Sequence, residues 1–486
     1  MMKRKPYITN LFFLLCLSGT ALFLSSFSLA NIHTLLQEWI EGEETISVLP
    51  IEMDSMAPVT IPMIDSLCVL DDPERSLDSF FRELDLLSER KDTVVNIVHL
   101  GDSHIQAGYY SGRMMRRLHD VFGNAGRGWI APFKLCKTNE PDDYFIKSVV
   151  QGWNTGRIVQ QNPKAPVGLG GIGIQVVSPS INLDVVIGPV NGAGYTFNQA
   201  VLYRNEGSMP MLPVGTFRDS VRVSFSDTTI QSAILTDTFH ISCLTDTLLI
   251  QSTRRKQGTD TLLPASAFSN SYYGFNLMNG GPGILYHSIG VNGAMFTHYT
   301  SREYLRQLAL LQPSLLIVSL GTNESFGRRF NREEFTAQVR DFVRLVKQEL
   351  PGTALLLTTP AECYKRVTVN KKRTYVRNEH IERVAAAIAQ VAEEEAISCW
   401  DLFTVTGGKN SSRKWLDKKL FGRDRIHFTK EGYYEQGELL FRAFIKSYNT
   451  YISRTHIQEV VLDIDELNVL EDLEPIQVIP EESEDE

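Results

Sequence analysis

Apolar runs that alternate with amphipathic segments restrict this chain to few folds. Three runs have almost no polar interruption, as expected of strands buried on both faces of a parallel sheet: residues 93–100, 315–320 and 354–359. Residues 397–403 form a similar, shorter run. Apolar residues recur at helical spacing in the segments between and beside them: residues 76–89, 110–121, 332–349, 379–395 and 430–446. This alternation of strands and helices predicts an open parallel α/β sheet.

Residues 137–281 have a different character. Helical spacing is absent, and Gly, Asn, Ser, Pro and Asp separate short alternating runs at 181–187, 221–225, 239–243 and 247–250. This pattern is typical of an antiparallel β-sandwich. Because a structureless connection of this length is unusual, we predict an inserted β-domain. It splits the α/β domain into residues 76–136 and 282–450.

The two ends of the chain do not resemble folded domains. Lys3-Arg4-Lys5, an apolar run at 11–24 and the small residues around Ala30 predict an export signal over residues 1–30. The apolar span is also long enough for a membrane anchor, and both readings stay open. Residues 31–75 are predicted to be a spacer. Residues 451–486 are predicted to be an acidic, disordered tail, with docking of part of it on a partner left open.

Charge and cysteine content exclude some classes of function. The formal net charge is −9, but twelve acidic residues and no Lys or Arg fall within 457–486, so the rest of the chain is nearly neutral. No basic stripe indicates a nucleic-acid partner. The five cysteines outside the signal have no CxxC or metal-ligand spacing. We therefore expect mostly buried thiols, leave a disulfide open, and predict no metal site.

Four short segments carry candidate chemistry. Ser103 follows the first strand in Gly101-Asp102-Ser103, at the sheet edge where open α/β folds bind ligands. Its simplest alternative role is that of an ordinary helix N-cap. Gly293 lies in a Gly-rich turn, Asn323 follows the strand at 315–320, and Asp424 and His427 precede the last helix.

In this order, the four segments resemble the sequence blocks of the SGNH (GDSL-like) hydrolases. The resemblance implies a three-layer α/β fold and a Ser-His-Asp esterase that needs no cofactor. By it, Ser103 is the nucleophile, His427 its base and Asp424 the residue that orients the base. The N–H groups of Ser103 and Gly293 and the Asn323 amide form the oxyanion hole. Two residues depart from the common pattern: His104 stands for leucine and Glu324 for aspartate.

Two other histidines also bear on the prediction. His99 lies within the first strand, so we expect a hydrogen-bonded core residue. His104 and His298 are candidates for the pocket lining. No pair of histidines forms a convincing zinc motif.

The place of the insert, between the first and second blocks, resembles bacterial peptidoglycan O-acetylesterases. This implies an exported, periplasmic or envelope-associated esterase that removes O-acetyl groups from a glycan, with peptidoglycan favoured. Candidate sugar contacts in the insert are Trp153, Asn154, Tyr195, Asn198, Tyr272 and Tyr273. An O-acetyltransferase with the same triad and a non-catalytic glycan-binding protein are the alternatives. The sequence leaves the acetylated sugar and the oligomeric state open.

Overall fold

The structure is a computed structural model of the chain, and it describes residues 65–149, 152–176, 182–187, 195–216, 222–252, 270–327 and 329–467. The predicted export signal and the spacer up to residue 64 lie outside the described residues. So does the tail from residue 468. Export, anchoring and the role of the tail therefore stay predictions.

The helices and strands of the described residues follow each other in the order that the sequence predicts. The helices are α1 (Asp78–Arg90), α2 (Ser103–Gln106), α3 (Tyr110–Phe122), α4 (Phe296–Tyr299), α5 (Arg302–Leu308), α6 (Arg332–Glu349), α7 (His380–Glu394), α8 (Leu402–Val405), α9 (Ser411–Asp417) and α10 (Lys430–Leu467). The strands of the α/β part are β1 (Val94–Gly101), β13 (Gly283–Gly290), β14 (Leu315–Ser319), β15 (Ala354–Thr358), β16 (Tyr364–Val369), β17 (Lys372–Arg377) and β18 (Ser398–Trp400). Those of the insert are β2 (Gly128–Ile130), β3 (Tyr144–Lys147), β4 (Trp153–Arg157), β5 (Ile172–Val176), β6 (Asn182–Ile187), β7 (Phe197–Asn205), β8 (Met211–Gly215), β9 (Val223–Gln231), β10 (Ile234–Thr245), β11 (Thr247–Ser252) and β12 (Asn270–Met278).

A five-stranded parallel sheet confirms the predicted fold class. Its order is β13-β1-β14-β15-β18, and all of its pairs are parallel. Strands β14 and β15 are buried almost throughout, as their continuous apolar sequence requires. The chain adds β13 on one side of β1 and β14 on the other. This reversal of strand order opens a crevice at the carboxyl end of β1.

The inserted strands form two antiparallel sheets. One has the order β4-β5-β12-β7-β10-β9, with β2 beside β12, and the other has the order β3-β6-β11-β8. A buried bidentate ion pair joins β7 to β10, with Arg204 Nε 2.6 Å from Asp237 Oδ2. The antiparallel pairing confirms the predicted β-type insert. Its first strand, β2, begins ahead of the boundary predicted at residue 137.

The C-terminal helix extends beyond the predicted end at residue 446. Helix α10 continues to Leu467, so residues 451–467 are helical and not part of a disordered tail. Packing against α1 explains the added turns as far as Arg454, because the ring of Phe81 in α1 lies 5.9 Å from those of both Tyr448 and Tyr451. Arg454 also pairs with Asp78 at 2.5 Å.

The last residues of the predicted spacer also belong to the fold. Cys68 and Leu70 are buried, and Asp71 pairs with Cys399 at the edge of the parallel sheet. The Asp72 carboxylate accepts hydrogen bonds from Ser76 N–H and Leu77 N–H at the start of α1. The spacer therefore ends before these residues.

Two local features of the α/β part were not predicted. Strand β18 covers only Ser398–Trp400, because the Asp401 carboxylate accepts from Thr404 N–H and starts helix α8. Strands β16 and β17 form an exposed two-stranded hairpin. The five cysteines outside the signal all lie in the described part of the chain and form no disulfide there, and four of them are buried. Within the described residues, no helix is long and apolar enough to span a membrane.

Buried histidines give the fold a dependence on pH. Burial lowers the pKa of His99 to about 3, whereas an unfolded chain binds the proton near pH 6.5. Between these two values the unfolded state holds more protons, so the free energy of unfolding falls as pH decreases. His99 is held by Tyr286 Oη at 2.6 Å and Ser319 Oγ at 2.7 Å.

We therefore expect His99→Gln to reduce this dependence. Between pH 6.5 and 5, the wild type should lose about 1.6 kcal/mol more free energy of unfolding than the variant. Urea denaturation at the two pH values measures the difference. The matched control is His240→Gln, at an exposed position, which should behave as the wild type does. Equal pH slopes for the wild type and His99→Gln would contradict the assignment.

Candidate active site

Three of the predicted site residues follow neighbouring strands of the parallel sheet. Ser103 comes two residues after β1, Gly293 three residues after β13, and Asn323 four residues after β14. Because β13 and β14 flank β1, their carboxyl ends lie on the two sides of the crevice. The structure thus brings these three residues to one edge, as the sequence predicts for ligand-binding segments.

Ser103 opens the short helix α2. The preceding Asp102 is its N-cap, and the Asp102 carboxylate accepts a hydrogen bond from His104 N–H at 2.9 Å. As the first residue of the helix, Ser103 has a backbone N–H with no carbonyl one turn earlier to bond. The positive end of the helix dipole lies behind that N–H. The N-cap role considered for Ser103 belongs to Asp102.

His427 connects Ser103 to Asp424. Its Nε2 lies 2.8 Å from Ser103 Oγ, and its Nδ1 lies 2.6 Å from Asp424 Oδ2. The other oxygen of Asp424 accepts from the backbone N–H groups of Ile426 and His427, each at 3.0 Å. The turn requires a positive φ of 57° at Arg425. The three predicted residues therefore form one continuous hydrogen-bonded chain.

Hydrogen bonds keep the Asp424 carboxylate ionised. Partial burial acts to raise its pKa, but the bonds from the His427 ring and from two backbone N–H groups outweigh it and hold the pKa below the usual value. The His427 and Asp424 side chains are 41% and 48% exposed. This part of the site is therefore open to solvent.

Asn323 reaches the site, but its amide is already engaged. The Nδ2 group donates to Asp102 Oδ2 at 3.0 Å and to the Ala294 carbonyl at 2.9 Å. Gly293 adopts a φ of 82°, and a Cβ at this position would meet nothing within 4 Å. The backbone at Gly293 thus borders open space, while Asn323 bonds to Asp102 and to the loop after β13.

Two buried carboxyl groups lie next to these residues. Burial raises the pKa of Asp102 to about 7, and it does the same for Glu324. Glu324 Oε1 accepts from Phe296 N–H at 2.9 Å, at the start of α4. Glu324 therefore fixes the loop after β14 to that helix. Its position directly after Asn323 was the only sign of this role in the sequence.

A polar cluster that was not predicted joins the insert to the site. Buried Gln106 accepts from Asn292 N–H at 2.7 Å and donates to Thr138 Oγ1 at 2.9 Å. The Asn292 amide donates to Asn139 Oδ1 at 2.7 Å. Thr138 and Asn139 belong to the first residues of the predicted insert. The cluster therefore ties the turn that carries Gly293 to both α2 and the insert.

A pocket of about 560 Å³ opens beside Ser103. Its walls combine aromatic and aliphatic side chains with amides, hydroxyls, a glycine and His427, and they include no Lys, Arg, Asp or Glu. The lining residues are Ser103, Ala107, Tyr109, Asn139, Asn292, Gly293, Thr322, Asn323, Phe326, Ile426, His427, Phe428 and Tyr433. Mostly apolar walls with a small number of polar groups are typical of small-molecule binding sites.

The other predicted histidines do not line this pocket. His99 is buried and hydrogen-bonded, as predicted. His104 lies behind His427, with ring centroids 5.2 Å apart, and its Nδ1 is 2.9 Å from Tyr433 Oη. His298 Nδ1 accepts from Met295 N–H and caps α4. Within the described ranges, no cluster of His, Cys, Asp and Glu could hold a metal ion.

The aromatic residues proposed as sugar contacts in the insert are mostly part of its core. Tyr195, Tyr272 and Tyr273 are each no more than 2% exposed, so that interpretation is wrong for them. Trp153 is half-buried and donates its indole N–H to the Leu135 carbonyl at 2.9 Å. Large aromatic side chains contribute most of their area to cores, and the sequence alone does not distinguish such residues from sugar contacts.

Residues 263–434 match the model of the GDSL-like Lipase/Acylhydrolase family. The match includes Gly293, Asn323, Asp424 and His427, whereas Ser103 lies before it, on the other side of the insert. No curated protein matches the chain.

The fold as a whole is similar to that of a solved peptidoglycan O-acetylesterase. The TM-score is 0.61 at 20% identity, over 78% of this chain and 99% of that one. A GDSL-like lipase from Bacteroides thetaiotaomicron matches 33% of this chain and 76% of its own, at 19% identity and a TM-score of 0.26. A lipase/acylhydrolase from Enterococcus faecalis matches 34% and 77%, at 14% identity and a TM-score of 0.25. The chain therefore carries, in residues 263–434, a region that matches the GDSL-like lipase/acylhydrolase family model, within a fold similar to that of the peptidoglycan O-acetylesterase.

Proposed function

We propose that the chain is an exported serine esterase that removes O-acetyl groups from a glycan. The observation that carries this proposal is the hydrogen-bonded chain from Ser103 through His427 to Asp424, at 2.8 and 2.6 Å. It lies at the edge of a pocket whose walls include amides and hydroxyls but no formal charge other than that of a protonated His427. Export rests on the N-terminal sequence alone.

In the proposed first step, Ser103 Oγ attacks the acetyl carbonyl carbon. A serine hydroxyl is a weak nucleophile until a base removes its proton, and His427 Nε2 is in hydrogen-bond reach of it. Asp424 accepts from Nδ1–H, which selects the tautomer whose Nε2 is free to accept the proton. The resulting imidazolium returns the proton to the sugar oxygen as the ester C–O bond breaks.

In the second step, water attacks the acetyl-serine. His427 takes a proton from this water, the serine ester bond breaks, and acetate leaves as Ser103 regains its hydroxyl proton. The exposure of His427 and Asp424 supports water as the acceptor, since a transferase must keep water away from the acyl-enzyme. Transfer to a second sugar remains the alternative.

The proposed oxyanion hole consists of the N–H groups of Ser103 and Gly293 and the Asn323 amide. Each preorganised donor is typically worth about 3–4 kcal/mol of barrier. In the structure the Asn323 amide bonds to Asp102 and Ala294. We propose that it shares or exchanges the bond to Ala294 when the tetrahedral intermediate forms.

Several features support a glycan substrate. Asn139, Asn292 and Thr322 supply donors and acceptors for sugar hydroxyls, and Tyr109 and Phe326 offer aromatic faces. The insert contributes Asn139 directly to this wall. The likeness in fold to a peptidoglycan O-acetylesterase makes O-acetylated peptidoglycan the first substrate to test and the cell envelope the proposed location.

The first prediction concerns the nucleophile. We expect Ser103→Ala to abolish the release of acetate from p-nitrophenyl acetate and from O-acetylated peptidoglycan or xylan, because no other residue replaces the attacking oxygen. The control is Ser88→Ala, a serine in helix α1 whose hydroxyl donates to the Leu84 carbonyl and which does not line the pocket. Equal activity of the wild type and Ser103→Ala would refute the triad. A wild type that is inert on every ester would favour the non-catalytic binding protein.

The second prediction concerns the orienting carboxylate. Asp424→Asn keeps the size of the side chain but removes the charge that stabilises the imidazolium. We expect kcat for p-nitrophenyl acetate to fall roughly 10³–10⁴-fold with KM nearly unchanged. Asp417→Asn, at the end of α9, is the control and should keep full activity. A loss smaller than about tenfold would show that Asp424 does not act on His427.

The third prediction concerns the amide donor. We expect Asn323→Ala to lower kcat by about 10²–10³-fold while KM changes little, because the donor stabilises charge that develops only in the transition state. Steady-state kinetics on p-nitrophenyl acetate separate the two constants. Asn331→Ala, at the N-cap of α6, controls for the loss of an amide elsewhere. An effect on KM alone would assign Asn323 to ground-state binding.

A further inference from the structure

The hairpin of β16 and β17 is the most strongly basic surface element near the proposed site. Of its fourteen residues, 364–377, six are Lys or Arg and none is acidic: Lys365, Arg366, Lys371, Lys372, Arg373 and Arg377. Most of these side chains are exposed. The chain outside residues 457–486 is nearly neutral, so the hairpin is a local concentration of positive charge.

Strand alternation divides these cations between two faces. Arg366 pairs in register with Tyr375, and Arg373 with Thr368. Because successive side chains point to opposite faces, Arg366 and Arg373 share a face with Tyr364 and Tyr375. Lys365 and Lys372 lie on the other face. We call the first the arginine face and define it as Tyr364, Arg366, Arg373, Tyr375 and Arg377.

The arginine face is attached to the loop that carries Asp424 and His427. The Arg425 guanidinium lies over the Tyr375 ring at 4.6 Å and near the Tyr364 ring at 5.7 Å. Tyr364 N–H donates to the Arg425 carbonyl at 3.0 Å, and the Tyr375 hydroxyl donates to the Arg423 carbonyl at 3.2 Å. Ile426 and His427, the next residues along this loop, line the pocket.

An aromatic path also joins the hairpin to the pocket. The Tyr364 ring packs edge-on against Phe421 at 6.1 Å, and Phe421 stacks on Phe428 at 4.4 Å. Phe428 is part of the pocket wall. The hairpin therefore has a fixed position beside the pocket, and a polymer that occupies the pocket can extend over it.

Only one cation of the arginine face is neutralised within the described part of the chain. Arg377 pairs with buried Glu362 at 3.0 Å and reaches Glu382 at 3.8 Å. Arg366, Arg373 and Arg425 have no carboxylate within ion-pair distance among those residues. An exposed guanidinium is well suited to bidentate contact with a carboxylate or phosphate.

The tip of the hairpin keeps its charge at a conformational cost. Asn370 and Lys371 have φ values of 49° and 61°, as the two central residues of a primed turn require. Glycine is usual at the second of these positions, and a lysine is disfavoured there because its Cβ crowds the backbone. The tip nevertheless presents an exposed ammonium group.

From these observations we propose that the arginine face binds carboxylates of the glycan whose ester enters the pocket. The inference rests on the proposed function and adds to it a substrate class, a glycan that bears anionic groups near the acetylated sugar. The pocket wall has no Lys or Arg, so recognition of charge falls to the surface beside it. Arg366 and Arg373 of the arginine face form that surface, together with Arg425 of the neighbouring loop.

Binding to peptidoglycan strands tests the proposal without requiring turnover. In a Ser103→Ala background, affinity is measured for strands with free stem-peptide carboxylates and for the same strands after their carboxyl groups are amidated. We expect amidation of the strands to weaken binding about tenfold. The double variant Arg366→Gln/Arg373→Gln should weaken binding of the untreated strands by a similar factor. The reason is that each exposed ion pair contributes up to about a fivefold change in affinity. Added salt should reduce both differences.

The matched control is Lys365→Gln/Lys372→Gln, which removes the same charge from the opposite face. It should retain the affinity of the parent. Equal loss in both double variants would overturn the proposal in favour of nonspecific attraction. Equal affinity for untreated and amidated strands would overturn it as well. An arginine-dependent affinity seen only for anionic phospholipid vesicles would also overturn it, and would indicate that the hairpin binds a membrane surface.

Turnover separates this proposal from the proposed function. For this test Arg366→Gln/Arg373→Gln is made in the enzyme that retains Ser103. For each enzyme, kcat/KM for the untreated strands is divided by kcat/KM for p-nitrophenyl acetate. We expect this ratio to be about tenfold lower in the double variant than in the wild type. Carboxylate-dependent binding without any ester cleavage by the wild type would refute the esterase and leave the binding surface. Ester cleavage with an unchanged ratio would refute the surface and leave the esterase.

Discussion

The pairing of β1 with β13 on one side and β14 on the other is the constraint on which the site depends. Gly101 and Gly290 lie opposite each other in this register. A Cβ at Gly101 would lie 2.3 Å from Ile105 Cγ1, and one at Gly290 would lie 2.2 Å from Gln106 N. Neither position accepts a side chain, because α2 packs directly on the ends of both strands. The same close approach brings Ser103 and Gly293 together.

The rest of the proposed triad comes from far along the chain and needs support of its own. The segment with Asp424 and His427 is held on one side by the β16–β17 hairpin and on the other by α10, whose Tyr433 contacts His104 behind the His427 ring. Helix α10 is in turn fixed by aromatic packing against α1. The imidazole is thus positioned by packing that extends through most of the α/β domain.

Much of this could be predicted from the sequence, and the failures have physical causes. Strands β1, β14 and β15 and helix α6 agree with prediction within one or two residues, since buried strands and amphipathic helices have clear periodic patterns. Ser103, Asn323 and His427 could be placed by order and strand ends. The β16–β17 hairpin was not predicted because its strands have polar side chains on both faces and pack mainly through Tyr364 and Tyr375. The extension of α10 was not predicted because it depends on tertiary contacts with α1. The bonds of Asn323 depend on side-chain orientation, on which spacing gives no information.

Those bonds give a reason for an aspartate beside the proposed nucleophile. Asp102 makes no contact in the triad, yet it is only 1% exposed, and such burial of a carboxylate is unfavourable unless hydrogen bonds compensate. Its partners here are His104 N–H and the Asn323 amide. The carboxylate therefore fixes the start of α2 and the proposed oxyanion donor at once. Burial raises the pKa of Asp102 to about 7. Protonation of this carboxylate would weaken the hydrogen bond that it accepts from the Asn323 amide, without any change in Ser103, His427 or Asp424.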